Sequence, residues 1–171
     1  MPATDIREAL DRLGRVLTAQ PEKGRTKNVP ATARLLEGLR CEVKGPNGET
    51  AYTDMPPGVG GAASAPNPWW FLRASIASCT ATAIAMRAAK LGVQLTTLEV
   101  TVESQSDNRG MLGLDDRVSA GMSPITTRVK IGARDVPADQ LRELAHWGDR
   151  HSPVGCTARE SPTCSIEVEV V

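Results

Sequence analysis

Apolar positions change their spacing several times along the chain, and each change predicts an element. Residues 4–20 place Ile6, Leu10, Leu13 and Leu17 at helical intervals behind Thr4 or Asp5 as a cap. Residues 21–28 are polar and basic and read as a linker. From Val29 the pattern becomes that of strands. Residues 31–43 alternate through Ala33, Leu35, Leu39, Cys41 and Val43, interrupted near Glu37-Gly38. Lys44-Gly45-Pro46-Asn47-Gly48 is a turn signal, and residues 49–53 supply the returning strand of a hairpin. Two more strands are predicted over 93–103 and 125–131. A helix follows over 137–150, with Leu141 and Leu144 on its apolar side, and a last strand over 165–171 sets Ile166, Val168 and Val170 on one face.

One segment breaks the alternation altogether. Residues 54–68 are rich in Pro and Gly, including Gly60-Gly61, and loops of that length in compact domains are often functional. Asn67 then serves as an N-cap and Pro68 as a first helical residue, whose missing N–H is no loss there. The helix that they open runs to about Leu91, with Gly92 as its C-cap and Lys90 beside the negative end of the dipole. Nearly every side chain over 74–86 is apolar or small, which predicts a helix buried almost all round in the middle of the fold. Adjacent strands joined by turns, with helices gathered to one side, indicate an α+β architecture. Residues 1–28 then form an N-terminal helical extension and linker, and residues 29–171 the main domain.

Composition narrows the functional classes. Hydrophobic residues make up 40% and charged residues 23% of the 171, which excludes a disordered chain. Aromatics are only 3%, so the core is aliphatic. Lys plus Arg and Asp plus Glu number 20 each, with no basic stripe for phosphates, and nucleic acid is not an expected partner. The most apolar stretch carries Arg73 and Arg87 and reads as a buried helix, not a membrane span, and no signal peptide is visible. A soluble, cytoplasmic protein is the expectation. In that compartment Cys41, Cys79, Cys156 and Cys164 stay reduced, and their spacing matches no common zinc motif. No metal and no cofactor is expected.

Cys79 is the candidate with chemistry in it. A thiol amid small apolar residues either fills space or acts as a shielded nucleophile. It lies eleven residues past Pro68, and the positive end of a helix acts only within the first turn. Apolar burial disfavours a thiolate. A nucleophilic Cys79 therefore needs a cation from another segment or subunit. The segment His151-Ser152-Pro153-Val154-Gly155-Cys156 reads as a helix end followed by a turn. His146, His151 and Cys156 stand five apart, which does not put them on one helical face as metal ligands. Arg34 and Arg40, in the first strand pair, read as solvated strand arginines.

The order Gly60-Gly61, Asn67-Pro68 and Ser78-Cys79 resembles the OsmC/Ohr family, that of osmotically inducible protein C and organic hydroperoxide resistance protein. The helix exit from Ala88 to Val93, the segment Asp107-Asn108-Arg109-Gly110, and Ser152-Pro153 followed by Arg159 and a last strand are similar as well. The resemblance covers about residues 31–171. It implies an intertwined homodimer with long central helices among antiparallel sheets. It also implies a peroxidatic Cys on the central helix, a strand Arg that holds its thiolate, a helix-start Glu that orients the Arg, and a resolving Cys near the C-terminus. Carried over, Cys79 takes the peroxidatic place and Arg40 the place of the Arg, with Arg34 second. The orienting Glu is replaced by Trp69, and the resolving Cys by Ser152. Cys156, four residues further on, could resolve in its stead if the turn reverses the chain. Trp69 and Trp70 would line an apolar substrate pocket.

Two functions follow from that resemblance. One is a thiol-dependent peroxidase in which Cys79 reduces an organic hydroperoxide and an external thiol resolves the sulfenate. The other is a non-catalytic dimer that binds a small hydrophobic molecule in the same cleft, which the loss of both the Glu and the resolving Cys favours. A third, an α+β domain in which Cys79 only fills space, ranks below both.

Overall fold

A computed structural model describes residues 3–171, with side chains from Asp5 onward. The chain divides into two compact units. A meander unit holds Glu8–Ser75 and Glu103–Pro124, and a helical unit holds Ile76–Val102 and Ile125–Val171 with the chain start as far as Arg7. Helix α1 (Ala3–Ala19) is the first described element, and Thr4 and Asp5 lie within it.

In the meander unit, β1 (Thr32–Leu35), β2 (Cys41–Lys44) and β3 (Thr50–Thr53) form an antiparallel sheet in sequence order. The single interrupted strand expected over 31–43 is therefore two strands. The interruption is a turn: Leu36 N–H donates to the Arg40 carbonyl at 2.9 Å and Arg40 N–H to that of Glu37 at 3.0 Å. Gly38 takes a φ of 57°, the left-handed conformation that a residue without Cβ adopts at least cost. The register sets Arg34 opposite Glu42 and Glu42 opposite Tyr52, so these three share one face of the sheet. The second turn is pinned by Glu49, whose carboxylate accepts from the backbone and side-chain amides of Asn47.

Helix α2 (Pro68–Leu91) begins where the cap signals put it: Trp70 N–H donates to Asn67 Oδ1 at 2.8 Å. It ends at Gly92, at φ 73°, where Val93 N–H reaches back to the Ala88 carbonyl. Most of α2 belongs to the helical unit. There Ile84 and Ala88 join Leu144 of α4 (Ala138–Arg150) in the core, against the paired strands β4 (Leu95–Ser104) and β5 (Ile125–Ala133). Gly148 of α4 is buried because α2 lies against its backbone; an added Cβ would collide with the side chain and main chain of Ile84. The short α3 (Asn108–Met111) lies in the meander unit.

Three expectations need correction. Helix α2 is not buried all round: Ile76, Thr80, Ala83, Ile84, Ala88 and Ala89 form a buried stripe, while Leu72, Ser75, Ser78, Thr82, Ala85 and Met86 are exposed. Composition reveals that a face is apolar or small, but not what covers it. Residues 161–171 form no strand; Ile166, Val168 and Val170 are exposed, since alternation makes a strand only when a partner accepts its hydrogen bonds. The segment after His151 is not a turn but a further helix, α5 (Pro153–Glu160), which follows α4 directly. The α+β class holds.

Candidate functional site

Cys79 stands about three turns into α2 and is half-buried, between exposed Ser78 and fully buried Thr80. No hydrogen bond to its sulfur is formed among the described residues. The Thr80 hydroxyl is sealed from solvent and also has no hydrogen-bond partner. Such groups are rare in folded proteins, because an unpaired buried hydroxyl costs about 1–3 kcal/mol. Cys79 shares the helical unit with Ser152 and Cys156, whereas Arg40, Arg34, Trp69 and Trp70 belong to the meander unit.

Arg40 ends the first turn of the meander, its backbone fixed on both sides by the two hydrogen bonds of that turn. Its guanidinium lies over the Tyr52 ring, 4.8 Å from the centroid. Its Nε is sealed from solvent and bonds to nothing. Arg34, by contrast, stands exposed opposite Glu42. Glu42 is held below the usual carboxylate range, first by its bond from Lys44, at 2.9 Å, with Tyr52 and Arg34 contributing. Arg40 also lines a cavity of about 410 Å³ with Glu37, Asp54, Gly60, Gly61 and Ser64. Asp54 in that wall is almost fully buried and is engaged by its own loop. Its carboxylate accepts from the backbone amides of Met55, Ala62 and Ser64 and from the Ser64 hydroxyl at 2.7–3.2 Å. Those bonds, led by the Ser64 amide and hydroxyl, lower its pKa against the opposing effect of burial.

Trp69 is half-buried and Trp70 is 47% exposed, meeting Phe71 edge-on at 5.2 Å. Plain core packing therefore does not account for Trp70.

Ser152 is completely buried and has a structural role. Its Oγ accepts from Gly155 N–H at 3.2 Å, capping α5, with Pro153 as the first helical residue. Cys156 follows one helical turn later. Its thiol donates to the Arg150 carbonyl at 3.2 Å and lies 3.5 Å from Nη2 of Arg159. Arg159 in turn grips Asp149, with Nη1 at 3.1 and 3.3 Å from the carboxylate oxygens and Nη2 at 2.7 Å from the backbone carbonyl. Sequence reasoning misses this thiol–guanidinium–carboxylate cluster. Its signal is the pair Ser152-Pro153, a cap followed by a first-turn proline, which marks a helix and so brings Cys156 and Arg159 to i, i+3. Cys41 is half-buried in β2 and Cys164 is exposed. Among the described residues no group of three His, Cys, Asp or Glu is arranged to hold a metal ion, and no helix is long and apolar enough to cross a membrane.

An α+β chain with a cysteine on its longest helix, between a Pro/Gly-rich loop and antiparallel strands, is the class that these features define. The chain belongs to the OsmC family of OsmC-like proteins, whose model matches residues 60–167. Arg40 and α1 lie outside that match. Solved structures share the fold. An OsmC-like protein from Mycoplasma pneumoniae is 16% identical with a TM-score of 0.66, over 79% of this chain and 89% of the other. An organic hydroperoxide resistance protein OsmC from Legionella pneumophila is 18% identical with a TM-score of 0.59, over 79% and 91%. The organic hydroperoxide resistance protein OhrB of Bacillus subtilis is 19% identical with a TM-score of 0.52, over 78% and 91%. No curated protein sequence matches the chain.

Proposed function

We propose that this protein is a cytoplasmic, homodimeric thiol peroxidase that reduces organic hydroperoxides at Cys79. The observation that carries this reading is a half-buried thiol on the longest helix, within the residues that the family model matches, in a chain whose structural relatives include organic hydroperoxide resistance proteins. The Cys79 thiolate attacks the outer oxygen of the hydroperoxide; the O–O bond breaks, the alcohol leaves after taking a proton, and a sulfenic acid remains. Since Ser152 occupies the resolving position and a hydroxyl cannot form a disulfide, an external thiol condenses with the sulfenic acid and releases water. A second thiol displaces Cys79 and restores it. Arg40 supplies the cation for the thiolate, and Trp69 and Trp70 the apolar wall for the organic group. The homodimer is supported by the exposed face of α2, lined with the small side chains of Ser75, Ser78, Thr82 and Ala85, and by the unpaired apolar alternation of 166–170.

The test is consumption of cumene hydroperoxide with a small thiol as reductant. Wild type should consume it rapidly and Cys79→Ser only at the rate of the solution reaction; equal rates would refute the proposal. The alternative is a non-catalytic dimer that binds a small hydrophobic molecule. It is favoured by one observation: Ser152 is committed to a helix cap. Under that reading no sulfenic acid is trapped by dimedone in either protein.

A further inference from the structure

The place that the resemblance gives to an orienting Glu is taken here by Trp69, so Arg40 must be held by something else. We propose that Tyr52 is that positioning residue, and that the face of its ring, instead of a carboxylate, sets the plane of the Arg40 guanidinium. This rests on the reading in which Arg40 stabilises the Cys79 thiolate.

A carboxylate orients an arginine by taking Nε and one terminal nitrogen together, in the plane of the fork. That edge is empty in Arg40: Nε is sealed and has no acceptor. The two carboxylates in the same cavity wall do not fill the gap. Asp54 is engaged by its own loop, and neither it nor Glu37, an exposed turn residue, forms an ion pair with Arg40 among the described residues. What the guanidinium does have is a face-on partner, the Tyr52 ring, at a distance where the cation is attracted to the negative face of the ring.

Tyr52 is itself well placed to act as a fixed platform. It lies on β3 directly opposite Glu42, and Arg40 precedes β2 on the same side as Glu42, so Arg40 and Tyr52 are diagonal neighbours across the ladder. The Tyr52 hydroxyl donates to Glu42 Oε1 at 3.5 Å, and Lys44 holds the same carboxylate. This contact leaves both terminal nitrogens of Arg40 free of any carboxylate among the described residues, whereas a carboxylate partner would neutralise part of the charge that the thiolate needs. The ring thus orients the cation without competing for it.

The experiment follows alkylation of Cys79 against pH, read on its own peptide by mass spectrometry, with thermal unfolding of each variant as a control on folding. Arg40→Met should move the midpoint of alkylation upward by about one pH unit or more. Tyr52→Leu, which removes the ring, should move it upward by about half a unit to one unit. Tyr52→Phe and Tyr52→Trp, which keep a ring, should follow wild type. If Arg40→Met leaves the profile unmoved, the pairing of Arg40 with Cys79 fails, and this inference with it. If Arg40→Met moves the profile and Tyr52→Leu does not, only the role of Tyr52 is overturned. A shift in Tyr52→Phe equal to that in Tyr52→Leu overturns it too, because the hydroxyl and not the ring would then be responsible.

Discussion

Two cysteines on helices of the helical unit stand in opposite surroundings. At Cys156 each polar atom nearby has its partner: Ser152 caps α5, the thiol meets the Arg150 carbonyl, and Arg159 spans Asp149 and the sulfur. At Cys79 the sulfur has no hydrogen bond among the described residues, and the neighbouring Thr80 hydroxyl is buried without one. A thiol beside a guanidinium and a carboxylate looks the more reactive of the two. The satisfied network argues the reverse. Polar groups that already hold one another fasten the end of α4 to α5, and groups left unpaired are the ones with capacity for a substrate or a partner surface.

The sharpest way to break this comparison is to separate activity from stability. Cys79→Ser should abolish hydroperoxide turnover while unfolding within about 0.5 kcal/mol of wild type, since the change is nearly isosteric at a half-buried site. Cys156→Ser should retain turnover. Loss of turnover in Cys156→Ser alone would make the α4–α5 corner part of the chemistry. The largest effect on stability is expected where α2 and α4 meet. Gly148→Ala drives a methyl group into Ile84 and its backbone, and overpacking of that kind costs about 1–3 kcal/mol in a denaturant titration.

How much of this is legible in sequence depends on how local each signal is. The cap Asn67, the first-turn Pro68 and Gly92 act within one turn, and α2 runs between them as expected. Cys79 stands out through ordered motifs spread over the chain. Helix α5 carries an equally local pair, Ser152-Pro153, which the following glycine disguises as a turn. Gly155 is in fact buried in the helix, with Ser152 Oγ and Arg159 Nη1 close to where its Cβ would stand. Non-local features are beyond reach. Asp149 and Arg159 are ten residues apart on two helices, and Arg40 meets Tyr52 only once two turns fix the ladder. The exposed side of α2 and the unpaired residues 161–171 mislead for a common reason: the sequence shows that a surface suits burial, not whether anything covers it.

The corner offers a smaller test of its structural role. Arg159→Met removes three hydrogen bonds to Asp149, and because the pair is about half-exposed the cost should be about 1 kcal/mol in a urea titration, with turnover unchanged. Ser152→Ala, which deletes the α5 cap, should cost about 1 kcal/mol as well. A turnover loss exceeding the stability loss in either variant would contradict the division drawn between the two thiols.

The same rule, that filled hydrogen-bonding capacity marks structure, applies to Asp54 and is visible there through pH. Its carboxylate staples the loop from Met55 to Ser64, and the donors around it hold its pKa below the ordinary Asp value. A carboxyl with a lower pKa folded than unfolded stabilises the native state fully above the unfolded value, about 3.9, and that contribution is lost as pH falls through the folded value. Asp54→Asn should therefore lower the unfolding midpoint at pH 7, where the amide presents a donor to backbone N–H groups that need an acceptor. The gap between the variant and wild type should narrow as pH drops below about 4. Thermal melts of both proteins at a series of pH values decide it. A gap of constant size across the acid range would mean that the Asp54 charge contributes nothing, and that the loop is held by its backbone alone.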